Sequence, residues 1–434
     1  MDIKHGLERV TVIGAGLAGC EAAWQLAERG VDVVLIEQKP KKFSPAHKSA
    51  GFCELVCSNS LKASRLNSAA GLLKAEMERL HSLTVPIAKS VAVPAGGALA
   101  VDRHRFSDAV SDKIKSHPKI EVRTKVENQI PDGIAVVATG PLTDGEFSEN
   151  LKKLTGEMLS FYDAAAPIIT ADSVDMERAL VASRYDDDAG DYINCPMDKD
   201  EYERFYDALI TAERAVLHDF DKIYEGCVPI EVLARKGRDT MRFGPLKPVG
   251  LCDPKTGRRP YANLQLRRET AAGELYNLVG FQTNLKFSEQ KRVFSLIPAL
   301  HNAEFERYGV MHRNSFINAP GLLNRSLSLK KRQNLFIAGQ LSGVEGYMES
   351  AASGIMCGIN AARLLKGEPP LILPEYTMIG ALINYICTEN KNFQPMGAAM
   401  GLLPPLGERI KDRLERYGAL ARRSMEFFDG LENA

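Results

Sequence analysis

Several features are missing from this sequence, and each absence excludes a class of protein. No apolar run approaches the ~20 residues of a membrane-spanning helix, and no signal peptide precedes the first predicted strand. The eight cysteines form no CxxC pair, which argues against a small secreted disulfide scaffold, and no set of His and Cys has the spacing of a metal site. We therefore expect a cytoplasmic protein with reduced thiols, no membrane span and no metal.

Net charge is also absent, because 55 basic residues balance 55 acidic ones. A polyanionic partner must therefore be met by a local patch. The charge is segregated along the chain: residues 144–207 hold seventeen acidic and six basic groups, whereas residues 235–292 hold thirteen basic and five acidic groups. A basic block is usually a solvated face, but this one is the first place to look for phosphate contacts.

The most informative stretch is VTVIGAGLAGCEAAWQLAERGVDVVLIE, residues 10–37. Its pattern predicts a strand, a glycine turn, a helix and a second strand that ends in an acidic residue. Gly14 and Gly16 allow a tight turn close to a pyrophosphate, and Gly19 lets the helix lie on the strand. The Glu37 carboxylate accepts hydrogen bonds from ribose hydroxyls. The residues predicted to hold a dinucleotide here are Gly14, Ala15, Gly16, Leu17, Ala18, Gly19 and Glu37.

A related pattern recurs towards the C-terminus. A strand over residues 334–338 runs into a glycine turn, and a helix rich in small residues follows over 350–365. Small residues let such a helix approach a cofactor closely, so Gly339, Gln340 and Gly354 are further predicted cofactor contacts. No second GxGxxG occurs, so we expect FAD as the resident cofactor and a nicotinamide only as a transient reductant.

The length of 434 residues predicts two or more domains. Between the two cofactor patterns the chain changes to short strands, mixed helices and dense charge, including an acidic helix predicted over residues 199–220. We predict an α/β fold with a Rossmann-type, glutathione-reductase-like FAD-binding domain and an inserted smaller α/β domain. The predicted limits are 1–141 and 330–434 for the FAD-binding domain, and 142–329 for the inserted domain that takes substrate or RNA.

Several long blocks extend the comparison beyond single motifs. They are GFCELVCSNSLKA (51–63), YEGCVPIE (224–231), RDTMRFGPLKPVGL (238–251), FQTNLKFSEQKRVFSLIP (281–298), YGVMHRNSFI (308–317) and GQLSGVEGYMESAASG (339–354). With them the whole chain resembles the folate- and FAD-dependent tRNA uracil-5-methyltransferases of bacteria. It is more distantly similar to the flavoproteins that modify the wobble uridine of tRNA.

The resemblance implies an activity: formation of 5-methyluridine at uridine 54 in the T-loop of tRNA. The carbon would come from 5,10-methylenetetrahydrofolate, and FAD reduced by NAD(P)H would supply the hydride. Carbon 5 of uracil is a poor nucleophile, so a thiolate adds to carbon 6 first, and a base later removes the proton at carbon 5. The resemblance assigns the nucleophile to Cys227 and the base to Cys53. The basic residues that follow Cys227, starting at Arg235, would lower its pKa.

Other interpretations stay open at this point. Taken alone, most cysteines are buried small apolar residues, and we interpret Cys57, four residues after Cys53, as a packed thiol. His312 could face folate or RNA, although a lone histidine is more often structural. The same chemistry could act on a uridine of 23S ribosomal RNA. The chain could instead be a plain FAD-dependent oxidoreductase or a non-catalytic flavin-bearing RNA-binding protein.

Overall fold

The computed structural model describes residues 9–182, 190–215, 228–252, 257–391, 393–407 and 409–432. The proposed nucleophile Cys227 lies outside the described residues. In the described chain the strands, in order, are β1 (Val10–Ile13), β2 (Val33–Glu37), β3 (Ser60–Ala63), β4 (Ala92–Val93), β5 (Ala98–Val101), β6 (Ile120–Thr124), β7 (Ala135–Val137), β8 (Leu159–Ala164), β9 (Ile168–Thr170), β10 (Leu180–Ala182), β11 (Tyr192–Met197), β12 (Ala262–Arg268), β13 (Leu275–Leu278), β14 (Phe305–Arg307), β15 (Met311–Phe316), β16 (Ser328–Leu329) and β17 (Arg332–Ile337).

The α-helices of the same residues are α1 (Leu17–Glu28), α2 (Ala69–Arg79), α3 (Thr84–Ser90), α4 (Arg103–Ser116), α5 (Gly145–Thr155), α6 (Lys199–Thr211), α7 (Ile230–Arg235), α8 (Thr240–Phe243), α9 (Phe287–Phe294), α10 (Ala319–Leu322), α11 (Tyr347–Leu365), α12 (Met378–Cys387) and α13 (Arg413–Glu432).

The first six-stranded sheet has the order β16-β17-β7-β1-β2-β6. All neighbours from β17 to β6 are parallel, and β16 alone runs antiparallel at one edge. The chain passes from β1 to β2 through α1, whereas β7 enters on the other side of β1. Strand order therefore reverses beside β1, which is where open α/β sheets bind their ligands. This sheet confirms the predicted α/β class with a Rossmann-type unit.

The second six-stranded sheet is antiparallel, in the order β10-β11-β12-β13-β9-β14. It has its own hydrophobic core, whose largest fully buried side chains are Tyr202, Phe205, Phe281 and Phe294. A two-stranded pair, β8 with β15, and a small sheet, β3-β5-β4, complete the strand pairing. The predicted domain limits at 141/142 and 329/330 stay a prediction. One strand inside the predicted insert, β16, pairs with the first sheet.

Helices α1 and α11 cross at very short range because glycines stand at the crossing. A Cβ added at Gly354 would lie 2.1 Å from the carbonyl oxygen of Ala18, and one at Gly358 would lie 2.6 Å from that of Ala22. Any side chain would separate the two helices. The contact fixes the N-terminus of α1 against the C-terminal part of the chain.

Helix α6 begins as its sequence predicts but ends early. Asp198 and Glu201 form a reciprocal capping box at its start. The helix ends at Thr211, and Arg214 already forms an isolated β-bridge with Leu285. The helix predicted over 199–220 is therefore wrong from residue 212 to 215, because a tertiary strand contact replaces the helical hydrogen bonds there. Residues 216–220 lie outside the described part of the chain.

Candidate cofactor site

The turn between β1 and α1 is held in place by its glycines. Gly14 has φ +99°, and a Cβ there would lie 2.4 Å from the Ala138 carbonyl oxygen. A Cβ at Gly19 would lie 1.7 Å from the carbonyl oxygen of Gly14. Both positions therefore require glycine for protein packing alone, and the packing brings the end of β7 against the turn.

Gly16 is different, because nothing in the protein requires glycine there. Its φ of −75° and ψ of −174° suit any residue, and an added Cβ would meet no atom within 4 Å. It stands just before α1, where backbone N–H groups point outward and the helix dipole favours an anion. The open space beside Gly16 would admit a pyrophosphate, and a side chain at this position would occupy that space.

Glu37 ends β2 with its carboxylate fixed by the backbone. Oε2 accepts a hydrogen bond from the Ala15 amide at 2.7 Å, and Oε1 accepts one from the Lys39 amide at 2.9 Å. The side chain is buried, yet it lines the cavity beside the turn. A carboxylate held in this way keeps lone pairs for the hydroxyls of a ribose.

The cavity has a volume of about 540 Å³, which is within the range of cofactor pockets. It runs from the glycine turn past the end of β7 to the start of α11. Seven of the predicted cofactor residues line it, namely Gly14, Gly16, Leu17, Ala18, Glu37, Gly339 and Gln340. The other three, Ala15, Gly19 and Gly354, lie outside this lining. Gly354 instead packs against Ala18.

The two thiols of the 51–63 block face different surroundings. Cys53 is buried with φ +49°, and its amide donates to the Ala15 carbonyl at 3.0 Å. Its thiol neighbours the buried Cys20 thiol behind the glycine turn, and it does not line the cavity. Cys57 does line the cavity, and its Sγ lies 2.9 Å from the Tyr347 hydroxyl. Burial and the nearby Asp163 raise the pKa of Cys57 to about 11.

The far wall of the cavity holds charged and polar groups that the sequence reasoning did not assign. The Tyr347 hydroxyl accepts from the Cys57 amide at 2.8 Å. Burial, followed by Asp163, raises the pKa of Glu345 to about 8, and Gln340 donates a hydrogen bond to its carboxylate. Apart from Asp163 and Cys57, these lining groups belong to the block of residues 339–354. In that block only Gly339, Gln340 and Gly354 were predicted to contact the cofactor. The signal for them was therefore present in the sequence.

Two buried polar atoms on this wall have no hydrogen-bond partner among the described residues. One is Glu349 Oε2, whose companion Oε1 accepts from Lys62 at 2.7 Å and from the Ala398 amide at 3.0 Å. The other is Nε2 of His312, which lines the cavity as one of the open interpretations supposed. Burial, then Arg307, lowers the pKa of His312, so the neutral ring is favoured. Orphaned polar atoms at a cavity wall fit a polar ligand.

The basic residues that follow Cys227 are partly neutralised. Arg238 pairs with Glu203 and Asp207, and Arg242 pairs with Asp239 while lying over the Tyr261 ring. Arg235 and Lys236 are exposed. Their effect on the pKa of Cys227 stays a prediction.

The class of protein follows from a Rossmann-type sheet, an open glycine turn and a cavity lined by the Glu37 carboxylate. This is an α/β flavoprotein that binds FAD, and one sheet of the described residues has the nucleotide-binding order. The described residues contain no group of three or more His, Cys, Asp or Glu side chains placed to hold a metal ion. Among the same residues, no helix has both the length and the apolar character needed to cross a membrane.

Comparison with known proteins identifies the family. The family profile described as "Glucose inhibited division protein A" matches residues 9–369. A protein of Halalkalibacterium halodurans named "Methylenetetrahydrofolate--tRNA-(uracil-5-)-methyltransferase TrmFO" is 56% identical over 96% of this chain and 97% of its own length. The Enterococcus faecalis protein of the same name is 55% identical, with 96% and 97% covered. The chain therefore belongs to the glucose inhibited division protein A family, in the branch of these TrmFO proteins.

The fold agrees with a solved member of the same family. GidA of Aquifex aeolicus has a TM-score of 0.69 and 17% identity, and the match covers 98% of this chain and 73% of that one. At this identity the likeness concerns the fold alone. It supports the Rossmann-type assignment made from the first sheet.

Proposed function

We propose that this protein methylates carbon 5 of uridine 54 in the T-loop of tRNA. The methyl carbon comes from 5,10-methylenetetrahydrofolate, and FAD reduced by NAD(P)H provides the reducing equivalents. The relatives that share 55–57% of their residues with this chain over at least 96% of its length are named methylenetetrahydrofolate--tRNA-(uracil-5-)-methyltransferases, which supports the carbon donor, the tRNA substrate and the position on the uracil ring. The proposal includes Cys227 as nucleophile, Cys53 as base and a cytoplasmic location.

One observation carries the assignment of Cys227. The Ile230 amide, three residues further along the chain, donates to the Gln282 carbonyl at 2.7 Å. Gln282 lines the cofactor cavity. Three residues of chain span at most about 11 Å. The assignment of Cys227 is therefore supported by a described neighbour, Ile230, that is bonded to the cavity lining.

The same short stretch holds the chain on both sides of the nucleophile. Residues 282–285 bond to Ala215 through the Asn284 carbonyl at 2.8 Å and to Ile230 through Gln282. The buried Glu231 carboxylate accepts from the Thr283 hydroxyl and the Asn284 amide. These contacts hold the described residues on either side, Ala215 and Ile230, against the same stretch of chain, one member of which lines the cavity.

In the proposed chemistry, the residues of the protein have two roles: one supplies a nucleophilic thiolate, and one removes a proton. The thiolate of Cys227 adds to carbon 6 of the uracil, and the ring electrons move to the carbonyl oxygen, which makes carbon 5 nucleophilic. Carbon 5 then forms a bond to the one-carbon unit of the folate. A base removes the proton at carbon 5, and the C–N bond to the folate breaks, which releases tetrahydrofolate and leaves a methylene group on carbon 5. A hydride, which FAD reduced by NAD(P)H would supply, converts this methylene group to a methyl group, and the S–C6 bond breaks to return the thiolate.

Cys53 is the proposed base, and its backbone supports a functional role. A left-handed φ of +49° at a residue other than glycine costs about 1–2 kcal/mol and persists where the surroundings hold it. The hydrogen bond that the Cys53 amide donates to the Ala15 carbonyl holds the backbone in this conformation. Cys57 is the alternative thiol, because it lines the cavity. A test must therefore separate the two.

The experiment uses T-loop RNA that carries 5-fluorouridine, with folate, FAD and NADPH. Fluorine at carbon 5 blocks the final elimination, so the wild type is expected to retain RNA through a covalent bond on a denaturing gel. Cys227→Ser is expected to form no adduct. With ordinary uridine, Cys53→Ala is expected to accumulate an adduct and release no methylated RNA, because the proton at carbon 5 stays in place. The matched control Cys57→Ala is expected to complete the reaction and to release methylated RNA.

Each departure from this pattern contradicts a separate part of the proposal. If Cys227→Ser still forms an adduct, Cys227 is not the nucleophile. If the adduct accumulates in Cys57→Ala instead of Cys53→Ala, the base is Cys57 and not Cys53. Methyl label found only in ribosomal RNA would change the substrate, and NADPH oxidation without any methylated RNA would leave a plain oxidoreductase.

A further inference from the structure

Three aromatic rings form a parallel stack at the edge of the second sheet. The ring centroids of Phe305 and Tyr308 are 5.0 Å apart with an interplanar angle of 8°. Those of Tyr308 and Phe287 are 4.9 Å apart at 15°. Phe305 packs on the core of the second sheet, whereas Phe287 is 55% exposed. The stack therefore has one end in the core and one end in solvent.

The stack is close along the chain to the cofactor cavity, because Phe287 stands five residues after Gln282, which lines that cavity. Phe287 follows residues 282–285 by two positions, and that stretch bonds to the chain on both sides of the nucleophile. Arg307, which precedes Tyr308 in the chain, lies within electrostatic range of Tyr347 and Cys57 on the cavity wall. A ligand that extends out of the cavity past Gln282 therefore comes close to this aromatic surface.

Positive charge accompanies the exposed ring. Phe287 begins α9, and Lys291, four residues later, lies on the same face of the helix and is exposed. Lys286 is also exposed and pairs with Glu213 at 2.5 Å. Glu289 is engaged by Arg292 at 2.6 Å, so its charge is balanced within the helix. An exposed ring next to a cation suits a nucleotide, which offers a flat base and an anionic phosphate.

We propose that the Phe287–Tyr308–Phe305 stack is a platform on which a nucleobase of the RNA substrate stacks while the target uridine enters the cavity. The stacked base is a neighbour of the target, since the target itself must reach the cavity. Lys291 contacts a phosphate of the same RNA. This inference rests on the proposed function, because it takes RNA as the substrate.

The first test measures RNA binding and turnover of the FAD-loaded protein at one fixed salt concentration. Phe287→Leu keeps an apolar side chain but loses the ring, and we expect Kd for T-loop RNA to rise by roughly 5- to 100-fold. Phe287→Tyr retains a flat ring and is expected to bind as the wild type does. FAD content, folate KM and the urea midpoint are expected to stay unchanged in both. Val181→Ala, another exposed apolar site on the second sheet, is the surface control.

The second test observes the stack directly. The chain has a single tryptophan, Trp24, on α1. In a Trp24→Phe background, Phe287→Trp gives a protein with one tryptophan at the platform. Base stacking is expected to quench its fluorescence as T-loop RNA is added, and a tryptophan placed at Val181 is expected to be unaffected. Lys291→Ala is expected to lower the slope of log Kd against log salt by about one.

The outcomes separate the two proposals. A wild type that neither binds nor methylates T-loop RNA contradicts the proposed function. A wild type that methylates RNA while Phe287→Leu binds it equally well overturns the platform alone. A higher folate KM with unchanged RNA affinity assigns the stack to folate and overturns the inference. A change from dimer to monomer in Phe287→Leu, seen by sedimentation, overturns it in favour of a second copy of the chain.

Discussion

Replacing Gly16 with alanine separates the requirements of the cofactor from those of the fold. In the free protein the new methyl group meets no atom within 4 Å, and the backbone at φ −75° accepts alanine without strain. Alanine also restricts the unfolded chain, so the free energy of unfolding of the cofactor-free protein is expected to stay the same or to rise by up to about 1 kcal/mol.

The affinity for FAD, in contrast, is expected to fall. The methyl group would stand where the pyrophosphate approaches the first turn of α1. The pyrophosphate would therefore bind farther from the backbone amides of that turn. Losing one charge-assisted hydrogen bond to a backbone amide costs about 1.5–3 kcal/mol, which raises Kd for FAD roughly 10- to 150-fold. Titration of the cofactor-free protein with FAD, followed by flavin fluorescence, measures this change.

Gly354→Ala is the matched control, because its methyl group meets protein rather than ligand. It would lie 2.1 Å from the Ala18 carbonyl oxygen and would force α1 away from α11. Overpacking of this kind costs about 1–3 kcal/mol, so urea unfolding of the cofactor-free protein is expected to shift. The reasoning is refuted if Gly16→Ala binds FAD within twofold of wild type, or if it loses as much stability as Gly354→Ala.

Two further predictions concern stability. Burial raises the pKa of Glu76 from 4.5 to about 7, so the folded state holds an extra proton in this range and the free energy of unfolding falls as pH rises through it. Glu76→Gln is expected to remove on the order of 2–3 kcal/mol of this pH dependence between urea titrations at pH 5 and pH 8, and parallel pH curves would contradict the assignment. Tyr347→Phe leaves the half-buried Cys57 amide without its partner and is expected to cost about 0.5–1.5 kcal/mol. The exposed Tyr385 hydroxyl, 3.3 Å from the Gln394 carbonyl, gives the control Tyr385→Phe, for which an equal loss would contradict this argument.

The first cofactor unit could be predicted from the sequence because its contacts are local. Strand, glycine turn, helix and Glu37 fall within 28 consecutive residues, and each is specified by periodicity or by glycine spacing. The structure has the same order, and the Glu37 carboxylate bonds to the Ala15 amide of the turn. Sequence also predicted the return of the chain to the same sheet, since β17 and the turn at Gly339 repeat a recognisable pattern.

The helix predicted over 199–220 shows where local reasoning stops. The predicted start at Lys199 was correct, and the helix extends through Thr211. Beyond that residue, pairing of Arg214 with Leu285 decides the conformation, and Leu285 is 71 positions away in the sequence. The helix propensity of residues 212–215 depends only on nearby residues, so it cannot predict a partner at that separation.

The sequence alone determined the cofactor class, the chemistry of the family and the residues of the glycine turn, because these depend on short-range backbone requirements and on long matching blocks. Only the tertiary structure decided which groups meet. Cys53 and Cys57 stand four residues apart, yet the left-handed backbone at Cys53 turns it behind the glycine turn while Cys57 reaches the cavity. Glu345 and His312 meet at the cavity from two separate blocks, and burial and long-range packing, which no local pattern encodes, set their surroundings.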